Sequence, residues 1–338
     1  MDWLNQIRNI QIDITSNCNA RCPSCVRNSY GGNPIKGLPL TDFDFDVWNR
    51  FVSEDLNGKD ILSLRFEGIW GDPCVHPQLL EMVDIYTRHH PSTVVTMATN
   101  GGGKTAEWWA KLATVLKNQS YFHRIDFNID GLKDTNGLFR RDIDFDLLMD
   151  NLKAFCDAGG NAAWIFQVFD HNKHQIDNAK QLAEDIGCME FAIRKVFNEI
   201  TLVDAYDAKY ELTASNVKDI NYNSWTFKDD SPMVRIHRKL KSARTESPCR
   251  WFKHNQIMID PWGFVWPCIH VSKFTYDDDP MGIIVDDMFD DHGEFNNLKN
   301  NKLNEILTHP WYTDIHESAV TGGKWKVCRE ECSAFGPA

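Results

Sequence analysis

Three cysteines, Cys18, Cys22 and Cys25, fall within eight residues of the stretch "SNCNARCPSC". Thiolates so spaced can hold a soft metal, yet three is an awkward count, because a closed zinc site takes four ligands and disulfides take an even number. Residue type leaves two chemistries open: a zinc knuckle lacking a ligand, or a loop holding three irons of a [4Fe–4S] cluster. In the second case the fourth iron stays open to a small molecule, much as a catalytic zinc keeps one position free. A second thiol set comprises Cys249, Cys268 just after the hairpin-like "HNQIMIDPWGFVWPC", and Cys328 and Cys332 in "CREEC". Four thiolates from a hairpin and a terminal turn can close completely around a metal, zinc or iron–sulfur. Cys74, Cys156 and Cys188 remain, and all three read as packing residues.

Other groups invite chemistry with less support. "ATNGGGKT" (98–105) satisfies the loose form of a phosphate-binding loop between a strand and a helix, with Ala98 where the strict pattern has glycine. A nucleotide hydrolase is therefore a rival reading, weakened because no aspartate at a strand end clearly pairs with Lys104 and Thr105 for a metal. His270 and Asp260, close in sequence to Cys268, are the candidates for moving a proton, against the plainer reading of an exposed histidine and a turn aspartate. His76 reads as structural, and His89 and His90 as a helix end where cations complement the dipole.

The elements that must position these groups alternate. Strand-like "IQIDIT" (10–15), "ILSLRFEG" (61–68), "STVVTMAT" (92–99), "RIDFNID" (124–130), "AAWIFQVF" (162–169) and "MEFAIRKVF" (189–197) are separated by segments of helical spacing. Six βα repeats predict a parallel sheet, open or curled into a partial barrel, whose ligands gather at the C-terminal strand ends. The three-cysteine loop falls at such an end. Residues 199–247 turn polar and read as a connector, and a smaller unit, a β-hairpin with its turn at Asp260–Gly263 and then the helical "LNEILTHPWYTDIHES", follows from 248. The 338 residues carry a net charge of −12, which argues against a general nucleic-acid surface. With no apolar run near 18 residues and no cationic leader, the chain reads as cytoplasmic, without membrane contact, its cysteines reduced or metal-bound.

At this point the sequence resembles the radical S-adenosylmethionine (radical SAM) superfamily, whose signature is CxxxCxxC after the first strand of a partial (β/α)6 barrel. In that family a [4Fe–4S] cluster chelates S-adenosylmethionine through its open iron and cleaves it to a 5′-deoxyadenosyl radical, which takes a hydrogen atom from substrate. The resemblance implies Cys18, Cys22 and Cys25 as ligands, with Ser24 departing from a commonly aromatic position. It places Gly71 and Asp72 of "EGIWGDPCVHP" at the methionine amino group, Asn100 of "ATNGG" near the cofactor, and Asn128 and Asp130 of "NIDG" at the ribose. Gln167 and Asn172 of "QVFDHN" are further candidates, and Arg194 could meet the methionine carboxylate or form a structural ion pair.

The last four motif cysteines resemble the SPASM/twitch extension behind many such barrels, in its shorter form with one auxiliary [4Fe–4S] cluster. The implied organisation is a barrel over 8–198, a connector over 199–247 and an auxiliary-cluster domain over 248–338. The implied activity is an oxidation or modification of a peptide or protein side chain, or of a small carbohydrate-like molecule. A reductant of the flavodoxin or ferredoxin class would supply electrons. A non-catalytic cluster-binding module is the remaining alternative.

Overall fold

The computed structural model describes residues 6–23, 25–28, 32–195, 202–203, 211–212, 249–273 and 288–321. Ser24, Cys328 and Cys332 lie outside them. Strand β1 (Asn9–Ile12) leads through the cysteine loop to α1 (Phe45–Arg50), which Asp44 caps by accepting from Asp46 N and Val47 N and which runs on into a π-helical turn over Phe51–Asp55. Then come β2 (Ser63–Phe66), α2 (Leu79–His89), β3 (Val94–Thr99), α3 (Ala106–Gln119), β4 (Phe122–Asn128), α4 (Asn136–Phe139) and α5 (Phe145–Asp157). Thr105 and Asp144 cap α3 and α5 through their side-chain oxygens. β5 (Ala162–Val168), α6 (Ile176–Ile186) and β6 (Glu190–Lys195) complete the repeats, with Gly187 ending α6 at a φ of 90° that favours glycine. Further along, β7 (Leu202–Val203) pairs with β8 (Glu211–Leu212). After it come α7 (Arg250–Lys253), β9 (Gln256–Ile259), β10 (Val265–Trp266), α8 (Ile269–Lys273), α9 (Leu303–Thr308) and α10 (Pro310–Thr321).

The six βα strands lie side by side, all parallel, in the order β1 to β6. The sheet is open, a partial barrel rather than a closed one. One finding departs from the reading of the hairpin as the start of a separate unit. β9 pairs in parallel with β1, Asn9 opposite Gln256 through Ile12 opposite Ile259, and β10 adds to β9 antiparallel. The hairpin thus extends the barrel's own sheet. The stretch expected as one helix over "LNEILTHPWYTDIHES" breaks between α9 and α10. His309 precedes Pro310 and takes ψ of 139°, as a residue before proline does.

Strand alternation sorts the two faces. Ile10, Ile12, Leu64, Phe66, Val95, Met97, Ile125, Phe127, Trp164 and Phe166 join the main core under the helices. The other face carries Gln11, Arg65, Arg124, Asp126, Gln167, Glu190 and Arg194, with Ala163, Ile165 and Ala192 as a small separate apolar cluster. Where a closed barrel usually fills this face with bulky aliphatics, here an ion-pair chain crosses it. Glu67 pairs with Arg65, Arg65 with Asp126 at 3.3 Å, Asp126 with Arg124 at 2.6 Å, and Arg124 with Glu190 at 2.6 Å.

Candidate functional site

The cysteine loop leaves β1 and is stitched down by its own polar groups. Arg27, buried, donates from Nε to Ser16 O at 2.8 Å and from Nη1 to Asn28 Oδ1 at 2.9 Å. Cys25 N donates to Cys22 O at 3.2 Å, and Asn28 N to Cys25 O at 2.9 Å. Cys18 Sγ accepts from Ala20 N at 3.4 Å and from Asn100 Nδ2 at 3.9 Å, and Cys22 Sγ from Arg140 Nη1 at 3.9 Å.

Burial pushes the Cys18 thiol up to about 12, helped by the Asp72 charge, and Cys22 up to about 11 against the pull of Arg140; burial also raises Cys25. Buried thiols of this kind ionise only when a cation stands beside them. The three lie within electrostatic reach of one another, yet among the described residues no three His, Cys, Asp or Glu side chains converge tightly enough for a single metal ion. Three thiols on one loop are a donor set that fits an iron–sulfur cluster with one iron left open.

The loops after β2 and β3 close over Cys18. A Cβ on Gly71 would lie 2.5 Å from Asn17 O and closer still to Thr15 O, so only glycine lets this loop approach the end of β1. Asp72, 5% exposed, accepts from Cys74 N at 3.0 Å, Thr99 Oγ1 at 2.8 Å and Asn100 N at 2.6 Å. Its carboxylate ties the two loops together and also lies against the Cys74 thiol. Asn100 also donates to Asn19 Oδ1 at 2.8 Å and accepts from Gly102 N at 2.8 Å, directly beside Cys18. Asp13 supports the same loop, accepting from Ile69 N and Trp70 N at 3.2 and 3.1 Å, and burial raises its carboxyl well above the usual range.

The remaining candidates scatter. Asn128 donates to Thr99 O at 3.1 Å. Asp130 is fully buried, with Oδ2 on Arg140 Nε at 2.6 Å and Oδ1 on Gln167 N at 2.7 Å, so it stands behind Arg140 with both oxygens engaged instead of facing an open ribose site. Asn172, also fully buried, spends its amide on Asp130 O, Gln167 O and Phe169 N, a purely structural use. Gln167 and Arg194 are half-buried neighbours in register on β5 and β6. Burial and the Arg124 charge lower the Arg194 guanidinium, against the nearby Asp126 and Glu190.

Cys249 is buried and Cys268 half-buried at the start of α8, where His270 also lies; their expected partners Cys328 and Cys332 are outside the described residues. Asp260 departs from the acid–base expectation. It is fully buried and accepts from Trp262 N and Phe264 N at 3.0 Å and from Trp266 Nε1 at 2.7 Å, which makes it the group that holds the hairpin turn. The phosphate-loop reading also loses its geometry. Cβ atoms on Gly101, Gly102 and Gly103 would strike Leu148, Ile143 and Cys74, and Thr105 Oγ1 caps α3 by accepting from Trp108 N at 3.4 Å. Those glycines serve packing. Cys74 packs against Gly103, as expected, and His76 bridges Phe43 O and Gln78 N.

No family model matches the sequence, and no curated protein does. Solved structures match the fold. SuiB of Streptococcus suis bound to S-adenosylmethionine aligns over 97% of this chain and 71% of its own, at a TM-score of 0.57 and 14% identity. The chain has the radical SAM fold. SuiB bound to precursor peptide SuiA aligns at a TM-score of 0.59 and 15% identity, over 97% of this chain and 70% of its own. anSMEcpe with bound AdoMet aligns at 0.58 and 15%, over 96% and 89%. At such identities the likeness speaks for the fold alone. In this chain Cys18, Cys22 and Cys25 lie on the loop that follows the C-terminal end of β1. The residues that sequence reasoning missed are Asp13, Asn19, Arg27 and Arg140. Only Asp13 left a trace, as a polar residue on the alternation of Gln11 in "IQIDIT".

Proposed function

We propose that the protein is a radical SAM enzyme that modifies a peptide or protein side chain. One observation carries the reading: three cysteines at CxxxCxxC spacing on the loop after β1 of a chain that has the radical SAM fold. Cys18, Cys22 and Cys25 would hold a [4Fe–4S] cluster. That cluster, with S-adenosylmethionine and one electron, supplies the 5′-deoxyadenosyl radical that abstracts hydrogen from substrate.

The chain's own residues do the positioning. Gly71 lets its loop lie against the end of β1, and Asp72, which holds Asn100 beside Cys18, would face the cofactor's amino group. Asn128, Gln167 and Arg194 lie on the polar face of the sheet, where strand alternation puts them. A peptide substrate is favoured by two fold relatives, SuiB bound to precursor peptide SuiA and anSMEcpe with bound Cp18Cys peptide. The charged face from Glu67 to Glu190 suits a polar side chain better than an aliphatic one. Cys249, Cys268, Cys328 and Cys332 would ligate an auxiliary cluster that takes up an electron or binds substrate, and His270 would be the group that moves a proton near it.

The test is iron and sulfide content after anaerobic reconstitution, with 5′-deoxyadenosine measured in the presence of dithionite and S-adenosylmethionine. Two four-iron clusters give about eight irons per chain, falling to about four in a Cys18/Cys22/Cys25→Ala variant that forms no 5′-deoxyadenosine. Zinc without iron in the wild type, and no cleavage, would overturn the reading.

A further inference from the structure

The segment after α4 grips the cysteine loop at three points. Arg21 N donates to Arg141 O at 3.2 Å, the Arg21 guanidinium pairs with Asp142, and Arg140 Nη1 donates to Cys22 Sγ at 3.9 Å. Arg140 is aimed at that sulfur from behind. Asp130 holds its Nε at 2.6 Å, and the Phe139 ring lies 5.2 Å from its guanidinium carbon. Asp130 is fixed in turn by Gln167 N at 2.7 Å. Carboxylate, guanidinium and thiol are linked in sequence through Nε and Nη1, with side-chain exposures of 0% for Asp130 and 16% for Arg140. Solvent and salt therefore screen little of its field at Cys22.

We propose that Arg140 sets the reduction potential of the cluster held by Cys22, with Asp130 as the counter-charge that aims and moderates it. The inference rests on the cluster reading above. When a cluster accepts one electron, added negative charge spreads onto its ligand sulfurs. A cationic N–H donor on one of those sulfurs favours the reduced state and raises the potential. No bond forms or breaks at Arg140; the electron comes from a low-potential protein reductant, and the guanidinium stays protonated throughout. Arg140 is thus a positioning residue that acts through Cys22. The electrostatic account makes the two partners act with opposite signs: removing the guanidinium makes the cluster harder to reduce, and removing the Asp130 charge makes it easier.

The experiment is a redox titration of the reconstituted full chain without S-adenosylmethionine, followed by the electron paramagnetic resonance signal of the reduced cluster. It is run in a Cys249→Ala/Cys268→Ala background, so that only the site at Cys22 reports. Arg140→Gln is expected to shift the one-electron equilibrium tenfold towards the oxidised state, about 59 mV. Arg140→Lys keeps most of the wild-type potential, and Asp130→Asn moves it in the positive direction. A merely structural role would move all three together or none. Equal midpoints in wild type and Arg140→Gln, both with four irons, would overturn the inference. Should Arg140→Gln hold no iron, Asp130→Asn decides it: an unmoved or more negative midpoint overturns it. Absence of a four-iron signal in the background protein itself would instead overturn the cluster reading.

Discussion

Two buried aspartates show how differently one side chain can be spent. Asp72 holds the donors Cys74 N, Thr99 Oγ1 and Asn100 N at the junction of the loops after β2 and β3. Asp72→Ala strands buried donors and is expected to lower unfolding free energy by about 2–4 kcal/mol, read from the urea midpoint. Asp260 also takes three donors, but burial dominates and its carboxyl is pushed up to about 7. A carboxyl whose folded pKa is raised binds its proton more tightly folded than unfolded. Its contribution to stability is complete below about 4 and is lost as pH rises through about 7. Wild-type stability should therefore fall between pH 5 and pH 8 by more than that of Asp260→Asn, at up to about 1.4 kcal/mol per pH unit for this one group. Parallel pH profiles for the two proteins would refute this. Asp13 is raised in the same sense, in part by the Asp260 charge, so the comparison reads Asp260 together with its effect on Asp13.

At the scale of elements, what the sequence makes legible is local. The strands are readable because each offers aliphatics to the helices and polar groups to the opposite face, and helix starts are readable at Asp44, Thr105 and Asp144 because capping is a short-range bond. Arg140 is not readable, since its partner Cys22 is 118 residues away and nothing in "LFRRDIDF" marks one arginine as buried. Nor is the pairing of β9 with β1, which depends on register between Asn9 and Gln256. Gly71 and Gly137 separate two kinds of glycine. At Gly71 a methyl would collide with two backbone carbonyls, which cannot rotate away. Gly71→Ala should cost about 1–3 kcal/mol and reduce iron uptake by the cysteine loop. At Gly137, inside α4, a Cβ meets nothing within 4 Å. Gly137→Ala should instead stabilise by about 0.4–1 kcal/mol, because alanine has less backbone freedom to lose. Calorimetric midpoints of the two variants on either side of wild type would bear this out.

For the whole molecule, the hairpin's place in the sheet decides what the C-terminal part is for. β9 covers the edge of β1, the strand that delivers the cysteine loop. Trp262 sets its ring 5.9 Å from that of Trp70, which is fully buried beside Gly71, and donates from Nε1 to Pro39 O at 3.2 Å. The Arg50 guanidinium donates to Leu298 O, and Lys302 pairs with Glu54 at 3.3 Å. A chain ended after residue 247 would expose the β1 edge, with Ile10 and Ile12 beside it, and uncover Trp70. An unpaired hydrophobic edge strand is a template for aggregation. Residues 1–247 alone should accumulate as insoluble or oligomeric protein on size exclusion, and supplying residues 248–338 as a separate chain should restore part of the soluble fraction. A monomeric 1–247 fragment with an unchanged thermal midpoint would mean that the barrel does not need the hairpin. Cys249 and Cys268 would then sit on a removable module, whereas the pairing of β9 with β1 puts the hairpin between them beside the strand that leads into the loop of Cys18, Cys22 and Cys25. On the proposed cluster reading, coupling between the two thiol sets would follow from that pairing, so loss of the hairpin should lower iron uptake by the cysteine loop even though no cysteine of that loop is removed.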